Sequence, residues 1–366
     1  MKVALAHDHL YQFGGAEKVL TEMHALFPQS PIHTLIFSNL KNTSFERAIL
    51  RSSYLQLLPG VQKYFRWLLP FMPSAWERFS FTNYDVVLSS SSAFVKGIIV
   101  PSSTIHLCYC HTPTRYLWAD SDEYVNTLHL PRLMRWYIRE RLKELRSWDQ
   151  IAAQRPDVMI ANSQHVARNI KKYYNRDSQV VYPPVPVDSF KVSPQPKNYF
   201  LIVSRLRPYK KVDLAIKAFN ALRLPLVIIG SGEEYTFLRQ LAKPNITFLG
   251  EVSDEVRDIY LAECQALIHP QEEDFGITVV EAMACGRPII AYGAGGALET
   301  VTPGISGVLF RQQTWEALAD AVLHFKTSDF EPQLIRQQAQ RFDSKYFRQS
   351  ISTIIKNTYE SPDRRR

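Results

Sequence analysis

Cysteine is scarce in this chain: its 366 residues hold four. Cys108 and Cys110 stand two apart, and Cys264 and Cys285 are isolated. Neither a disulfide framework nor a zinc-type spacing can be assembled from them, which fits a reducing compartment. Long apolar runs are also missing. None approaches the roughly 20 residues needed to cross a bilayer, and the richest, Trp67 to Trp76, is broken by Pro70 and Pro73. The opening MKVALAHDHL turns polar too early for a signal peptide. No short-period repeat or low-complexity tract occurs apart from Arg364–Arg366. Hydrophobic residues at 46% and charged residues at 21% exclude wholesale disorder. At roughly 150 residues per domain, the expectation is a soluble, cytoplasmic chain of two domains.

Positive charge, by contrast, is in excess, and it is unevenly placed. The net charge is +8. Residues 1–186 carry 21 Lys and Arg against 14 Asp and Glu, a net +7, and residues 187–366 carry 22 against 21, a net +1. A basic half beside a neutral half points to a partner with an anionic surface: nucleic acid, membrane or a phosphorylated substrate.

The two halves begin alike. Met1–Ala6 is an apolar run that ends in a polar, glycine-containing loop, His7 to Gly15, before a helix-like stretch from Ala16 to Phe27. Tyr199–Ser204 repeats the plan, with the polar loop Arg205–Lys211 and a helix over Val212–Leu222. In that helix Val212, Ala215, Ile216 and Phe219 share one face. Asp85–Leu88, Ile105–Cys110, Val158–Asn162, Leu226–Gly230, Ile246–Leu249, Ala266–His269 and Pro288–Tyr292 read as further buried strands. Strands alternating with helices predict an α/β fold of two parallel-sheet units. Tyr182–Lys197, with five prolines in sixteen residues, reads as the linker between them. The expected division is 1–185, 186–344, and a C-terminal helix in 345–366 that crosses back to the first domain and ends in a basic tail. Open α/β sheets bind ligands at the carboxyl ends of their strands.

The sharpest segment is His269–Gly286, HPQEEDFGITVVEAMACG. A strand ends near His269, an acidic loop follows, and Thr278–Cys285 has helical composition. The stretch Phe275-Gly276-Ile277-Thr278 places backbone N–H groups at a helix N-terminus, a natural anion site. Glu273 and Glu281, eight apart, can serve sugar hydroxyls there. By themselves they equally describe an acidic loop capping a helix.

The full string Glu273-Asp-Phe-Gly-Ile-Thr-Val-Val-Glu281, followed by Ala-Met-Ala-Cys-Gly-Arg-Pro, closely resembles the hallmark of the retaining glycosyltransferases of family 4. The resemblance implies the GT-B fold, two Rossmann-like domains facing across a cleft. It assigns Glu273 to the transferred sugar, Phe275–Thr278 (Phe275, Gly276, Ile277, Thr278) to sugar and phosphate, and Glu281 to the donor ribose. Ser204-Arg205-Leu206-Arg207-Pro208-Tyr209-Lys210 looks like the family's Arg-Leu-x-x-x-Lys element. Cations there neutralise the charge that develops on a departing nucleoside diphosphate. Without the resemblance this is a solvated basic loop, and Lys210 is preferred to its neighbour Lys211 only by family spacing.

In the first half, Gly14-Gly15 matches the family's glycine loop, which faces the donor phosphates. Taken alone it is an ordinary helix start. His111, in HTPTRYLW, matches a histidine that contacts the donor sugar, and Arg115 lies close by in sequence. Val252 falls in the loop that lies near the base. The family generally needs no divalent metal and no cofactor beyond its nucleotide-sugar co-substrate, so Asp120-Ser-Asp122 reads as a solvated turn. Gly230-Ser-Gly232 lacks the third glycine of a dinucleotide fingerprint, and hydride transfer is not supported.

HTPTRYLW, IANS at Ile160–Ser163 and AYGAGGALE at Ala291–Glu299 resemble the branch that contains GDP-mannose-dependent O-antigen mannosyltransferases. The reaction implied is transfer of mannose, with retention, to a glycan or lipid-linked saccharide. The alternatives are a UDP-sugar donor (glucose, galactose or N-acetylglucosamine), a nucleotide-sugar 2-epimerase or an inactive saccharide-binding protein. In the basic half, Arg135, Arg139, Lys143 and Arg146 fall on one face of a helix whose neighbouring stripe is Met134, Ile138, Leu142 and Leu145. With the aromatic segment Tyr64–Trp76 upstream, this reads either as ordinary packing or as peripheral contact with an anionic membrane. No nucleic-acid motif accompanies it.

Overall fold

A strand that reaches the next through a crossover helix enters the sheet parallel to its predecessor, and both halves of the chain use that connection. The computed structural model describes all residues except 39, 42, 120, 122–124, 126–130, 194 and 361–366. It divides into two compact units, one comprising Met1–Tyr182 with the chain from Phe347 onward, the other Pro183–Tyr346. Asp120 and Asp122 of the Asp120-Ser-Asp122 string, and the terminal arginines, lie outside the described residues.

Unit 1 contains β1 (Val3–His7), β2 (Ile32–Thr34), β3 (Leu50–Ser52), β4 (Val86–Ser91), β5 (Ile105–Cys110), β6 (Val158–Ala161) and β7 (Gln179–Val180). All pair in parallel in the order β3-β2-β1-β4-β5-β6-β7. The register sets His7 opposite Ser90 and Ser91 opposite Cys110. Strand β4 runs three residues beyond the apolar stretch, over Ser89-Ser90-Ser91. Serine has little strand preference of its own, but here each hydroxyl is buried and hydrogen-bonded, Ser89 to His106 Nε2 at 2.8 Å and Ser90 to His111 Nε2 at 2.7 Å. From Phe347 the helix Ser344–Tyr359 contributes Phe347, Ile351, Ile354 and Ile355 to the cluster around Val3, Leu5, Ile105 and Leu107.

Unit 2 contains β8 (Phe200–Val203), β9 (Leu226–Ile229), β10 (Ile246–Gly250), β11 (Leu267–His269), β12 (Ile289–Tyr292) and β13 (Gly307–Phe310). They are parallel in the order β10-β9-β8-β11-β12-β13. In each unit the strand order reverses beside the first strand, between β1 and β4 and between β8 and β11. That switch point is where open sheets of this topology bind ligands.

The proline-rich segment is not a solvated tether. Val185, Val187 and Phe190 are buried, Val185 N–H donates to Phe342 O at 3.0 Å, and Arg336 donates to Val187 O at 3.0 Å and Phe190 O at 2.8 Å. Apolar residues between the prolines anchor it in unit 2.

The basic helix also differs from expectation. It spans Arg132–Ala152 and turns Leu142 and Leu145 inward, but Met134 stays exposed. Arg146 is not on a solvated face: Nε donates to Leu117 O at 2.7 Å and the guanidinium lies 5.4 Å from the Trp118 ring centroid. Lys143 pairs with Glu140 at 2.8 Å. Among the described residues no helix is long and apolar enough to cross a membrane.

Candidate active site

The unit 2 switch point is built from two strand ends. After β8 the chain makes the short turn Pro208–Lys210, and after β11 it enters the loop that leads to the helix Ile277–Ala284. The Lys210 ammonium forms an ion pair with Glu273 Oε1, and both side chains are mostly buried. Gln271 Nε2 donates to the same oxygen at 3.3 Å and lies 3.1 Å from His269 Nδ1. His269 itself is buried, and burial followed by the nearby Lys210 charge pushes its pKa down to about 3.

The loop closes on Gly276, whose φ of +89° is open to glycine and strained for other residues. A Cβ there would also sit 3.3 Å from Val279 Cγ2. At the helix start Val279 N–H donates to Gly276 O at 3.0 Å, and the Ile277 and Thr278 amides precede the first intrahelical acceptor. Phe275 is buried, its ring 5.3 Å from that of Phe342, and Ile277 and Thr278 are half-buried at the helix start.

Arg205 is exposed in the loop after β8, and its carbonyl accepts from Arg207 N–H at 3.0 Å. The loop leans on Gly230: a Cβ there would lie 1.9 Å from Ser204 O. The Gly230-Ser-Gly232 turn therefore supports the Arg205 loop, a role the sequence pattern did not disclose. Lys211 adopts φ +51° at the entry to the helix Val212–Leu222. Glu281 is buried one helical turn further along, and its charge helps hold the Arg257 pKa up against burial. Val252 is half-buried in the loop after β10.

Unit 1 presents a second polar chain. The helix Gly15–Leu26 follows Gly14 directly, and its Glu17 lies 3.5 Å from His7 Nε2. His7 Nδ1 is 3.0 Å from Ser90 Oγ, which is 2.7 Å from His111 Nε2. Burial raises the Glu17 pKa, but its bond and charge contact with His7 more than offset this, leaving a net lowering. An ionised Glu17 only accepts, so His7 donates through Nε2. Ser90 Oγ thus bridges His7 Nδ1 and His111 Nε2. Burial, then His7, lowers the His111 pKa to about 3, so its imidazole is neutral.

A buried ion pair fixes the loop after His111. Lys96 Nζ lies 2.6 Å from Asp149 Oδ1, and Asp149 also accepts from Thr114 at 3.0 Å, Trp118 Nε1 at 2.8 Å and the Tyr174 hydroxyl at 2.7 Å. Every acceptor position of a fully buried carboxylate is thereby used.

The structure thus gathers Lys210, Glu273 and Gly276 at one switch point, and it links His111 through Ser90 and His7 to the helix that opens at Gly14-Gly15. Arg205, Val252 and Glu281 occupy neighbouring loops and a helix of unit 2. His7, Ser90, Glu17, His269, Gln271 and the Lys96–Asp149 pair escaped sequence reasoning. His7, Ser90, His269 and Gln271 were signalled only by lying at or just past predicted strand ends, and Glu17, Lys96 and Asp149 carried no signal.

Two Rossmann-like units with parallel sheets, each carrying polar groups at its switch point, define the GT-B class of glycosyltransferases. Two family models match in succession: "Glycosyltransferase Family 4" over residues 13–189 and "Glycosyl transferases group 1" over 187–342. The chain belongs to this glycosyltransferase family.

The O-antigen chain mannosyltransferase C of Escherichia coli is 31% identical over 209 residues, 52% of this chain and 54% of that protein. The alpha-1,3/1,6-mannosyltransferase ALG2 of Dictyostelium discoideum is 25% identical over 337 residues, 76% of each. The chain spans about half the length of the first curated relatives it matches. The solved structure of Anabaena HepE in complex with UDP superposes with a TM-score of 0.72 over 98% of this chain and 100% of that one, at 19% identity.

Proposed function

We propose that this glycosyltransferase moves mannose from GDP-mannose to a hydroxyl of a glycan or lipid-linked saccharide, with retention at the anomeric carbon. The observation that carries the reading is the Lys210–Glu273 pair at the unit 2 switch point, beside the N-terminus of the helix Ile277–Ala284. One cation and one carboxylate there match a leaving diphosphate and the hydroxyls of its sugar. Lys210 and Arg205 stabilise the diphosphate as charge builds on it. Glu273 orients the sugar, Glu281 holds the ribose, Val252 lies by the base, and the amides of Phe275–Thr278 receive phosphate. On unit 1 the proposal gives His111 a contact to the sugar and Gly14–Gly15 one to the diphosphate. The leaving diphosphate itself helps accept the proton of the incoming hydroxyl, so no separate paired-carboxylate machinery is invoked.

The mannosyltransferases among the relatives favour mannose; the UDP in the HepE structure gives the competing donor. A thermal-shift panel separates them. GDP-mannose and GDP should stabilise the protein, by about 2.7 kcal/mol at a hundredfold excess over Kd, and UDP-glucose, UDP and ADP-glucose should not. Stabilisation by UDP compounds alone overturns the GDP-mannose assignment. Release of nucleoside diphosphate only when an acceptor is added separates transfer from epimerisation, which interconverts the nucleotide sugar with no net release of diphosphate.

The same proposal includes peripheral contact with an anionic membrane. Leu57, Trp67, Phe71, Leu133 and Trp136 of unit 1 are all more than half exposed, and no Asp or Glu falls between Glu46 and Glu77. Large apolar side chains among arginines suit a lipid headgroup boundary. Reversing Arg135 and Arg139 to glutamate should weaken binding to phosphatidylglycerol vesicles at least tenfold, since each cation near such a surface is worth about 1 kcal/mol. Equal sedimentation of variant and parent with these vesicles would discard membrane contact.

A further inference from the structure

One buried donor in unit 2 has nothing to donate to. Gln271 donates one amide hydrogen to Glu273 Oε1 at 3.3 Å. A carboxylate only accepts, so this bond fixes which end of the amide is nitrogen. The same nitrogen lies 3.1 Å from His269 Nδ1, which must then accept. A neutral imidazole that accepts at Nδ1 carries its proton on Nε2. His269 Nε2 is buried without a hydrogen-bond partner, 3.8 Å from Glu273 Oε2. A buried N–H left unmade is costly in a native structure, and such an atom calls for an explanation.

The explanation lies in the ion pair alongside. As the structure stands, Lys210 occupies Glu273 Oε1, so the two charges neutralise each other. A diphosphate arriving beside Lys210 competes for that ammonium and leaves the carboxylate with less compensation in a mostly buried position. Gln271 already holds Oε1. The His269 Nε2–H lies 3.8 Å from Oε2, a few tenths of an ångström beyond hydrogen-bond reach.

We propose that His269 is a positioning residue which takes over Glu273 when Lys210 turns to the diphosphate, its Nε2–H closing on Oε2 and Gln271 locking the required tautomer. The imidazole thus keeps the carboxylate aimed at the sugar during the exchange of partners. The inference rests on the proposed roles of Lys210 and Glu273 and adds to them a residue outside the polar loop.

His269→Met removes the donor at similar volume, and His269→Gln restores an N–H close to the Nε2 position. The donor is whichever of GDP-mannose and UDP-glucose the parent enzyme uses, and the matching diphosphate serves as sugar-free ligand. In His269→Met, kcat should fall about thirtyfold and the KM for the nucleotide sugar should rise, while the Kd for the diphosphate stays within twofold. His269→Gln should recover to within about threefold of the parent. Equal losses in the two variants, an unchanged kcat in His269→Met, or a diphosphate Kd that worsens in step with KM would overturn the assignment.

Should His269→Met not fold, Gln271→Met tests the tautomer lock, with a tenfold fall in kcat expected and an unchanged kcat overturning it. Lys210→Ala separates the two layers. Full transfer in that variant removes the site reading itself; loss there with none in His269→Met removes only His269.

Discussion

Lys210→Ala lowers the rate of sugar transfer by about a hundred- to a thousandfold and leaves the protein folded. The size follows from the role: one preorganised positive group aimed at charge that appears in the transition state is worth about that factor. Folding survives because Lys210 sits on a short turn rather than in a core cluster. The carboxylate it leaves behind keeps its bond from Gln271. Lys211→Asn is the paired control. Lys211 is the neighbouring cation, but it stands in the left-handed region that asparagine tolerates well, and its loss should change transfer no more than threefold. The measurement is acceptor-dependent release of nucleoside diphosphate with folding followed by thermal melting. Near-normal turnover in Lys210→Ala would end the assignment of Lys210 to the leaving group.

Acidification from pH 7 to pH 5 removes about 8 kcal/mol of stability, a large share of the 5–15 kcal/mol typical of a folded domain. Four buried histidines are responsible, His33, His106, His111 and His269. Burial, opposed by the hydrogen bond to the Leu5 carbonyl and helped by the Arg51 charge, lowers the His33 pKa to about 4. Burial, then Arg176 and Arg155, lowers that of His106 to about 3, and His111 and His269 are also at about 3. Each folded-state value lies below the roughly 6.5 of an unfolded histidine. Below pH 6.5 the unfolded chain therefore binds protons that the folded one refuses, and stability is full above that pH and lost as the pH falls towards 3–4. Each histidine contributes about 2 kcal/mol of the loss between pH 7 and 5. Urea unfolding at the two pH values measures it, and a midpoint that does not move would refute the neutral assignment of these imidazoles. His33→Leu should flatten the pH dependence by about a quarter.

Much of the architecture was legible because the period of the sequence carries it. Ile105–Cys110 and Val212–Leu222 were read to the residue, since a buried run and a 3.6-residue stripe each have a clear signature. Ile32–Thr34, Leu50–Ser52, Gln179–Val180 and Gly307–Phe310 were not, because two to four residues show no period. They are strands only through the neighbours whose edges they complete. Ser89–Ser91 failed for another reason: the residues lack strand preference and gain it from histidines brought alongside by β1 and β5. Within the site, Glu273, Lys210 and Gly276 announced themselves by motif spacing, whereas His269 and Gln271 looked like the end of a strand and its loop.

The sequence by itself determined the class of protein, the alternation of strands and helices, and which charged residues end their strands. Spacing along a chain is enough for that, because local periodicity and motif order survive without coordinates. Tertiary structure alone decided who those charges meet. Lys210 lies sixty-three positions before Glu273, His7 and Ser90 are 83 apart, and Lys96 reaches Asp149 from another element entirely. Parallel pairing with crossover helices brings such distant residues within a few ångströms. Burial at those points then removes competing water, so each must find a partner or, like His269 Nε2, wait for one.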